Sequence, residues 1–418
     1  MAFGQLIDQR KLNKRNHVVE LFRENGALSK AKVRQISGYS MDTLISIFRS
    51  LEEDGYLLSP RPEAAGTGAQ GAALVDARDF PVVSAEPGQP MPSRSKGRPA
   101  ELFRLDDERE LYLGTTFNQA GVYSVLVSFS GATLDVRRDE LPALRDQDAF
   151  EAAFAAHLLA FLAANSRRIP KIRRIGLALP GQVDSERGIL LHYGLMPFLR
   201  DLDLAALINR HLAGPPVLCR HNVAGLASYL LKDQGLGREF RRILYVSARA
   251  GAAHALIQDG RLLLDEGEMG HLRVCSSEQR CDCGRSGCLD TVFSANAFRR
   301  LFPDLSWEEL ADHLRAAEAA GRFESRQRIE PAWRAFCEAL LDLCASFSPD
   351  LVLFSGELFA MLPEPVSWLR SWIDDMIDAS RPPAWFPREF RYRKTGSEAA
   401  AIGLCYSLIE EDWFWQPD

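Results

Sequence analysis

The sequence has no long hydrophobic segment and few cysteines, and each absence excludes a class of protein. No apolar run reaches the roughly 18 residues that a membrane-spanning helix needs. Residues 1–5 lack the basic and then apolar order of a secretory signal. Eight cysteines among 418 residues, without an export signal, do not indicate a disulfide framework. We therefore expect a cytoplasmic protein without a membrane partner.

A net positive charge is also absent, because the chain carries a formal charge of −6. The distribution of charge is more informative than its sum. Residues 1–58 contain nine Lys and Arg against seven Asp and Glu, and residues 91–99 contain three basic residues and no acidic one. A basic N-terminal segment followed by a larger acidic part is typical of a DNA-binding module attached to a sensor. The length of the chain predicts two or three domains.

Three short amphipathic helices are predicted near the N-terminus, over about residues 15–25, 30–37 and 41–54. Ser29 stands where it can cap the second helix, and Gly38 stands where it can end it. A tight turn between the second and third helices is the layout of a helix-turn-helix, although a generic small helical bundle would give a similar pattern. The second helix is expected to bury three apolar side chains, those of Ala31, Val33 and Ile36.

Polar residues cover the outer face of the predicted third helix. Side chains that form hydrogen bonds can contact base edges or phosphates in the major groove of DNA. The candidates for such contacts are Ser40, Asp42, Thr43, Ser46 and Arg49. Residues 56–58 are predicted to form the first strand of a wing, so residues 1–75 are interpreted as a winged helix-turn-helix DNA-binding domain.

Residues 61–98 are poor in large apolar side chains, and residues 76–105 are predicted to form a wing and linker. They include the sequence Ser-Lys-Gly-Arg-Pro at 95–99. An arginine in such a Gly-Arg-Pro segment can enter a narrow minor groove, where the negative potential is enhanced. Lys96 and Arg98 are therefore candidate DNA contacts, with a simple basic linker as the alternative.

Strands alternate with helices from about residue 106 to residue 418, which predicts a mixed α/β architecture in two lobes. The strands are expected at residues 111–114, 122–129, 174–179, 217–219, 243–247 and 351–354. The helices are expected at residues 150–165, 223–233, 294–301, 306–320, 331–347 and 397–409. No short-period repeat is visible in the sequence.

A group of metal-ligating residues stands in the middle of this region, at His271, Cys281, Cys283 and Cys288. Three thiolates and one imidazole suit a tetrahedral zinc ion, and a complete set of protein ligands is typical of a structural site. Glycines at 284 and 287 would let the short loop turn back on itself. The alternatives to zinc are a redox pair or unrelated buried cysteines.

The sequence around these ligands is similar to that of a known family. Gly-Glu-Met-Gly-His at 267–271, with Cys-x-Cys-Gly-x-x-Gly-Cys-Leu at 281–289, resembles the signature of the ROK family of repressors, open reading frames and sugar kinases. Residues 175–184 and 348–356 are similar to two strand motifs of this family. The N-terminal helices and the Gly-Arg-Pro segment resemble its repressor branch, so the resemblance spans about residues 15–415.

The resemblance implies an actin-like (ribonuclease H-like) fold with two lobes and a sugar in the cleft. On this basis, Glu268 would accept hydrogen bonds from sugar hydroxyls, and His271 would bind zinc beside the sugar. Asp290 stands where the family usually has glutamate, whose side chain is one methylene longer, and this difference would enlarge the pocket or weaken one bond. His221 and Asn222 are the remaining candidates for effector binding.

The resemblance also predicts that phosphoryl transfer has been lost. Asn222 stands where the sugar kinases have the aspartate that takes the hydroxyl proton, and an amide cannot accept that proton. Residues 114–117 correspond to the first phosphate-binding turn without its aspartate. Residues 247–254 replace a second, glycine-rich turn whose backbone amides approach phosphate.

The sequence therefore predicts a DNA-binding transcriptional repressor that is controlled by a sugar or sugar-phosphate effector and is not an enzyme. Its expected partners are operator DNA and further copies of the chain, in a homodimer or homotetramer, and its expected cofactor is zinc. The alternatives are an active ATP-dependent sugar kinase and a regulator whose signal is a protein partner.

Overall fold

The computed structural model describes residues 3–59, 101–233, 235–274, 278–319, 323–362, 364–378 and 380–413. The chain divides into two units, Met1–Asp106 and Asp107–Asp418. Among the residues expected to contact DNA, Lys96 and Arg98 lie outside the described ranges. Within those ranges, no helix combines the length and the apolar character needed to cross a membrane.

The N-terminal unit is a winged helix-turn-helix. Its elements are α1 (Phe3–Asn25), β1 (Leu28–Ser29), α2 (Lys30–Ser37), α3 (Met41–Glu53), β2 (Leu57–Leu58) and β3 (Leu102–Leu105). The strand β3 lies between β1 and β2 and pairs antiparallel with both. The predicted helix-turn-helix and its first wing strand are therefore confirmed, and β3 adds a wing strand from the range that the sequence assigned to wing and linker.

The caps of α2 and α3 follow from the hydroxyl side chains before them. Ser29 Oγ accepts a hydrogen bond from the backbone N–H of Lys32, and Ser40 Oγ accepts one from the N–H of Thr43. Gly38 ends α2 in the left-handed conformation, with a φ of 70° that favours glycine. These contacts fix the turn between the two helices.

Two expectations for the first helices were wrong. The helix α1 begins at Phe3 rather than near residue 15, and in α2 only Val33 is buried, whereas Ala31 and Ile36 are exposed. Residues two positions apart do not share a face of a helix, so Ala31 cannot lie beside Val33 in the core. Ile36 lies in the last turn of α2 and is 42% exposed.

Aromatic side chains form the centre of this small unit. The ring of Phe48 on α3 contacts the ring of Phe22 on α1 at 5.7 Å and the ring of Phe103 on β3 at 5.0 Å, both with edge-to-face geometry. Such contacts add specific geometry to the burial of large apolar surfaces. The three rings therefore connect the helices with the wing.

The first lobe of the larger unit contains two sheets. Its elements are β4 (Leu111–Phe117), β5 (Gly121–Ser128), β6 (Thr133–Glu140), α4 (Gln147–Ala164), β7 (Ile172–Leu179), β8 (Gln182–Asp184), β9 (Ile189–His192), β10 (Arg200–Asp203), α5 (Leu204–His211), β11 (Val217–His221), α6 (Asn222–Asp233) and α7 (Leu236–Glu239). The main sheet has the order β11-β7-β4-β5-β6, and a small sheet has the order β10-β9-β8.

The second lobe follows in the chain. Its elements are β12 (Arg242–Ala248), β13 (Ala252–Gln258), β14 (Arg261–Gly267), α8 (Ala295–Leu301), α9 (Trp307–Ala319), α10 (Phe323–Phe347), β15 (Leu351–Ser355), α11 (Glu357–Ala360), α12 (Pro365–Asp374), β16 (Glu389–Tyr392) and α13 (Ala399–Trp413). Its sheet has the order β14-β13-β12-β15-β16.

The two five-stranded sheets have the same topology. In each sheet the first three strands form an antiparallel meander, and the fourth and fifth strands run parallel to the first. The larger unit is thus built from two copies of one architecture. This observation confirms the predicted α/β fold with two actin-like lobes.

The helices α6 and α13, which are far apart in the sequence, cross in direct backbone contact and connect the two lobes. The helix α13 packs on β4 and β7 of the first sheet, and α6 packs on β13 and β14 of the second. At their crossing, a Cβ atom on Gly225 would overlap the carbonyl of Ala400, and one on Gly403 would overlap the backbone of Gly225. Glycine is therefore required at both positions of this crossing.

Candidate functional site

Four side chains of the second lobe form a group that could hold a metal ion. His271 lies in the short helix Met269–His271 after β14, and Cys288 immediately precedes the short helix Leu289–Thr291. The ligand atoms of His271, Cys281, Cys283 and Cys288 all lie within 4.8 Å of one another. The predicted ligands are therefore brought together.

The spacing of the ligand atoms fits a single tetrahedral ion. Cys283 Sγ lies 3.6 Å from Cys288 Sγ, and Cys281 Sγ lies 3.4 Å from His271 Nδ1. Two sulfur atoms bound tetrahedrally to zinc at about 2.3 Å would lie roughly 3.8 Å apart. All the cysteines in the described part of the chain are free of disulfides. The donor set and its geometry thus suit a closed metal site.

Backbone hydrogen bonds shape the loop that carries the cysteines. The N–H of Cys281 donates to the carbonyl of Arg285, and the N–H of Gly284 donates to the carbonyl of Cys281. Gly284 and Gly287 have φ values of 85° and 79°, which residues with a Cβ atom rarely adopt. These glycines therefore let the loop return towards His271, as the sequence predicted.

A cleft of about 500 Å³ adjoins this group and is lined by residues of both lobes. The effector-binding candidates all line it: His221, Asn222, Glu268, His271 and Asp290. The structure therefore brings together residues from three distant parts of the sequence. Their role in binding an effector remains a prediction.

His271 faces the metal group and the cleft at the same time. Its Nδ1 lies with the cysteine sulfurs, whereas its Nε2 lies 3.4 Å from Gln182 Nε2 and 3.9 Å from Glu268 Oε2. Glu268 itself is partly exposed to the cleft, with 44% of its side chain accessible. A ligand beside Glu268 would thus lie next to a residue of the metal group.

Asp290 is engaged by the protein itself. Its Oδ1 accepts a hydrogen bond of 2.9 Å from the backbone N–H of Ala252, and its carboxylate lies against the α-carbons of Gly251 and Gly270. Burial raises the pKa of Asp290 to about 7, and the bond from Ala252 acts in the opposite direction. The contact connects the segment after the cysteines with the turn between β12 and β13.

His221 and Asn222 lie where β11 ends and α6 begins. His221 is buried, and its Nδ1 accepts a hydrogen bond of 3.3 Å from the backbone N–H of Val223. Burial lowers the pKa of His221 to about 4, so this imidazole is neutral near pH 7. Asn222 begins α6 and lines the cleft with its uncharged amide.

The turn between β4 and β5 is formed by other residues than those expected for the first phosphate-binding turn. Residues 114–117 belong to the buried strand β4, and the turn consists of Asn118, Gln119 and Ala120. Gly114 is needed for a different reason, because a Cβ there would overlap the carbonyl of Ala401. The cleft-lining turn still lacks a glycine pair that would let its backbone approach phosphate.

Sequence reasoning missed the contacts of Arg249 in the turn between β12 and β13. Its Nη2 donates a hydrogen bond of 2.7 Å to Thr395 Oγ1, and its Nη1 lies 3.6 Å from Glu357 Oε1. The sequence did mark this position, because Arg249 is a charged residue in the segment 247–254, which replaces a glycine-rich turn of the related kinases. Thr395 and Glu357 could not be found this way, because they lie more than 100 residues along the chain.

The loop that carries the cysteines also contacts the first lobe. Asp282 Oδ2 lies 3.3 Å from His192 Nε2 at the end of β9, and Gln182 on β8 approaches His271. Asp282 is mostly exposed, whereas His192 is largely covered. These contacts link the metal group with the opposite wall of the cleft.

The DNA-binding candidates of the first unit have two different environments. Asp42, Ser46 and Arg49 are exposed on α3. Ser40 and Thr43 are engaged in the helix cap, where their hydroxyl oxygens lie 2.9 Å apart. Asp42, Ser46 and Arg49 are therefore free of the capping contacts that occupy Ser40 and Thr43.

Comparisons with known proteins agree with this architecture. The DNA-binding transcriptional repressor Mlc of Escherichia coli (strain K12) is 26% identical over 213 residues, which are 50% of this chain and 51% of Mlc. The chain thus spans about half the length of this curated relative.

Two solved structures resemble the fold. A ROK family transcriptional regulator, described as a homologue of the E. coli MLC protein, has a TM-score of 0.67 at 20% identity, and the match covers 96% of each chain. The ROK hexokinase of Thermus thermophilus has a TM-score of 0.57 at 21% identity, and the match covers 72% of this chain and 99% of the hexokinase.

The match to a family model covers both the metal group and most of the cleft. The model described as the ROK family matches residues 125–411, well over half of the chain. It includes every predicted metal ligand and every predicted effector-binding residue. The chain therefore belongs to the ROK family.

Proposed function

We propose that this protein is a transcriptional repressor whose affinity for operator DNA is controlled by a sugar or sugar-derived effector in the cleft. The observation that carries this proposal is the combination of a winged helix-turn-helix with a sugar-kinase-like cleft in one chain. The similarity to Mlc, whose name describes a DNA-binding transcriptional repressor, supports it. Operator DNA and further copies of this chain, as a dimer or tetramer, are the proposed partners.

The DNA-binding surface is proposed to be α3. Its exposed Asp42, Ser46 and Arg49 would contact base edges or phosphates in the major groove, and the Ser40 and Thr43 cap would stand at the groove's edge. Lys96 and Arg98 are proposed to enter the adjacent minor groove. In a symmetric dimer, two such helices would read half-sites about one helical turn apart.

The metal is proposed to be zinc with a structural role. His271, Cys281, Cys283 and Cys288 would fill its tetrahedral shell and leave no position for a substrate. When bound, zinc would supply cross-linking of the loop rather than Lewis-acid chemistry. His271 would then hold a fixed position beside Glu268 and Gln182 in the cleft.

We infer that the cleft binds without phosphorylating its ligand. A sugar hydroxyl needs a general base to attack a phosphoryl group, and the amide of Asn222 cannot take the proton. The turn at 118–120 also lacks the glycines that would bring backbone amides to phosphate. The chain would therefore use its cleft for recognition alone.

Thermal melting of the zinc-loaded protein with a panel of sugars, sugar phosphates and ATP tests this function. A sugar compound that raises the melting temperature and changes operator binding in gel-shift assays would support it. Turnover of ATP with any hexose would instead identify a kinase. A protein that binds operator DNA but responds to no small molecule would favour a protein partner as the signal.

A further inference from the structure

Arg249 lies at the wall of the cleft, and only some of the hydrogen-bond donors of its guanidinium group have partners among the described residues. Its side chain is 20% exposed, and its Nε is buried without a hydrogen-bond partner in the described part of the chain. A guanidinium group offers several N–H donors in one plane, and leaving a buried donor unsatisfied is unfavourable. Within the described residues, its one side-chain hydrogen bond, to Thr395, leaves this group with unused donors.

The nearest carboxylate compensates Arg249 only weakly. Glu357 Oε1 lies 3.6 Å from Nη1, beyond hydrogen-bond distance, and 51% of the Glu357 side chain is exposed. Further positive charge lies nearby, because Arg299 and Arg300 also line the cleft. Burial raises the pKa of Tyr193, Glu357 raises it further, and Arg249 and Arg299 lower it; all four residues line the cleft.

The turn that carries Arg249 is held in place by its backbone. The N–H of Arg249 donates to the carbonyl of Gly251 at 2.9 Å, and the carbonyl of Ala250 accepts from Ala295 at 3.3 Å. The N–H of Ala252 donates to Asp290, which belongs to the effector-binding candidates. The backbone that carries the guanidinium is thus fixed beside the surface where the proposed effector would lie.

We propose that Arg249 is an anion-binding residue of the cleft, so that the effector carries a phosphate or carboxylate group as well as hydroxyls. This inference rests on the proposed function and defines the chemical class of its effector. A planar guanidinium with free donors matches two oxygens of either group. On binding, the anion would replace the long contact with Glu357 by charge-assisted hydrogen bonds.

Isothermal titration of the full-length, zinc-loaded chain tests the proposal with glucose 6-phosphate, glucuronate, inorganic phosphate, ATP and glucose. We expect glucose 6-phosphate or glucuronate to bind more tightly than glucose, and the tighter of the two identifies the acidic group. Arg249→Gln should weaken that anion by about tenfold or more, because charge-assisted hydrogen bonds are lost. Arg249→Lys should retain part of the affinity, since it keeps the charge.

Arg241→Gln is the matched control, because Arg241 is 73% exposed and forms a surface ion pair with Asp259. It should bind the anions as the wild type does. Equal anion binding by the wild type and Arg249→Gln, equal losses in both glutamine variants, binding of ATP alone, or no anion binding to the wild type would each overturn the proposal. Operator binding that persists in any of these cases would show that the proposed repressor function had not failed with it.

Discussion

Burial of His221 at the end of β11 makes its imidazole hard to protonate, and this has a measurable effect on stability. Its pKa lies near 4 in the folded chain, against 6.5 for an ordinary histidine. Below about pH 6.5 the unfolded chain binds a proton that the folded chain excludes. The free energy of unfolding therefore decreases as the pH drops from about 6.5 to about 4, and this residue accounts for a decrease on the order of 3 kcal/mol.

His221→Asn should remove that part of the pH dependence. The amide oxygen can replace Nδ1 as acceptor for the N–H of Val223, but it does not titrate. Chemical unfolding at pH 7 and pH 5 should show a stability loss smaller by about 2 kcal/mol in the variant than in the wild type. His211→Asn, on the exposed end of α5, should behave as the wild type. Identical pH dependence in all three proteins would contradict this account.

Gly225 gives a second prediction at the scale of one residue. Gly225→Ala would force the α6–α13 crossing apart, because the new methyl group would overlap the backbone at Ala400. We expect a loss of at least about 2 kcal/mol in the free energy of unfolding. Lys232→Ala, on the exposed face of the same helix, removes only a surface ion pair with Glu410 and should cost no more than about 1 kcal/mol. Equal effects of the two substitutions would show that the crossing tolerates a side chain.

At the scale of an element, we predict that the loop from residue 271 to residue 288 depends on a bound metal ion. Cys283→Ser should reduce the bound zinc from about one ion per chain and lower the melting temperature by several degrees, because metal binding contributes directly to folding. Elemental analysis and thermal melting with and without a chelator measure both effects. Ser286→Ala, in the same exposed loop, should retain zinc and stability. A chelator that destabilises Cys283→Ser as much as the wild type would argue against this site.

Most elements with continuous apolar runs were predictable, and most strands at the sheet edges were not. The exceptions are the edge strand β11, which was identified at residues 217–219, and the buried strand β13, which was missed. The strands β4, β7, β12 and β15 were each identified within a few residues, because most of their residues are apolar and buried on both faces of the sheet. The strand β6 was missed, since Thr133–Glu140 is an edge strand of mixed exposure and polar composition. The strands β8, β9, β10 and β16 have only three or four residues each, which is too short for a recognisable alternation of apolar and polar residues.

The candidate site divides in a similar way. The metal ligands are close in sequence and could be found from their spacing, and the cleft residues followed from the family resemblance. The contacts of Arg249 with Thr395 and of Asp290 with Ala252 join distant segments. Sequence periodicity carries no information on which polar side chain meets a distant backbone group, so these contacts became visible only in the fold.

At the scale of the whole molecule, the two units should separate DNA binding from effector binding. Arg49→Gln removes an exposed cation from α3 and should weaken operator binding by about 1–3 kcal/mol per half-site, which gel shifts measure. The melting temperature and its response to effector should stay unchanged. Arg241→Gln, in the larger unit, should bind DNA as the wild type does. A parallel loss of effector response in Arg49→Gln would mean that the units are not separable in this way.

The position of His271 has a consequence for the polarity of ligand recognition. An imidazole that gives the lone pair of Nδ1 to a metal must carry its proton on Nε2, and that nitrogen can then only donate. With a metal bound in this way, an effector atom that met His271 would have to present an electron pair. We therefore predict that a hydroxyl or carbonyl oxygen would be accepted there and an ammonium group rejected, so that a metal bound outside the cleft would restrict which functional groups the cleft can bind.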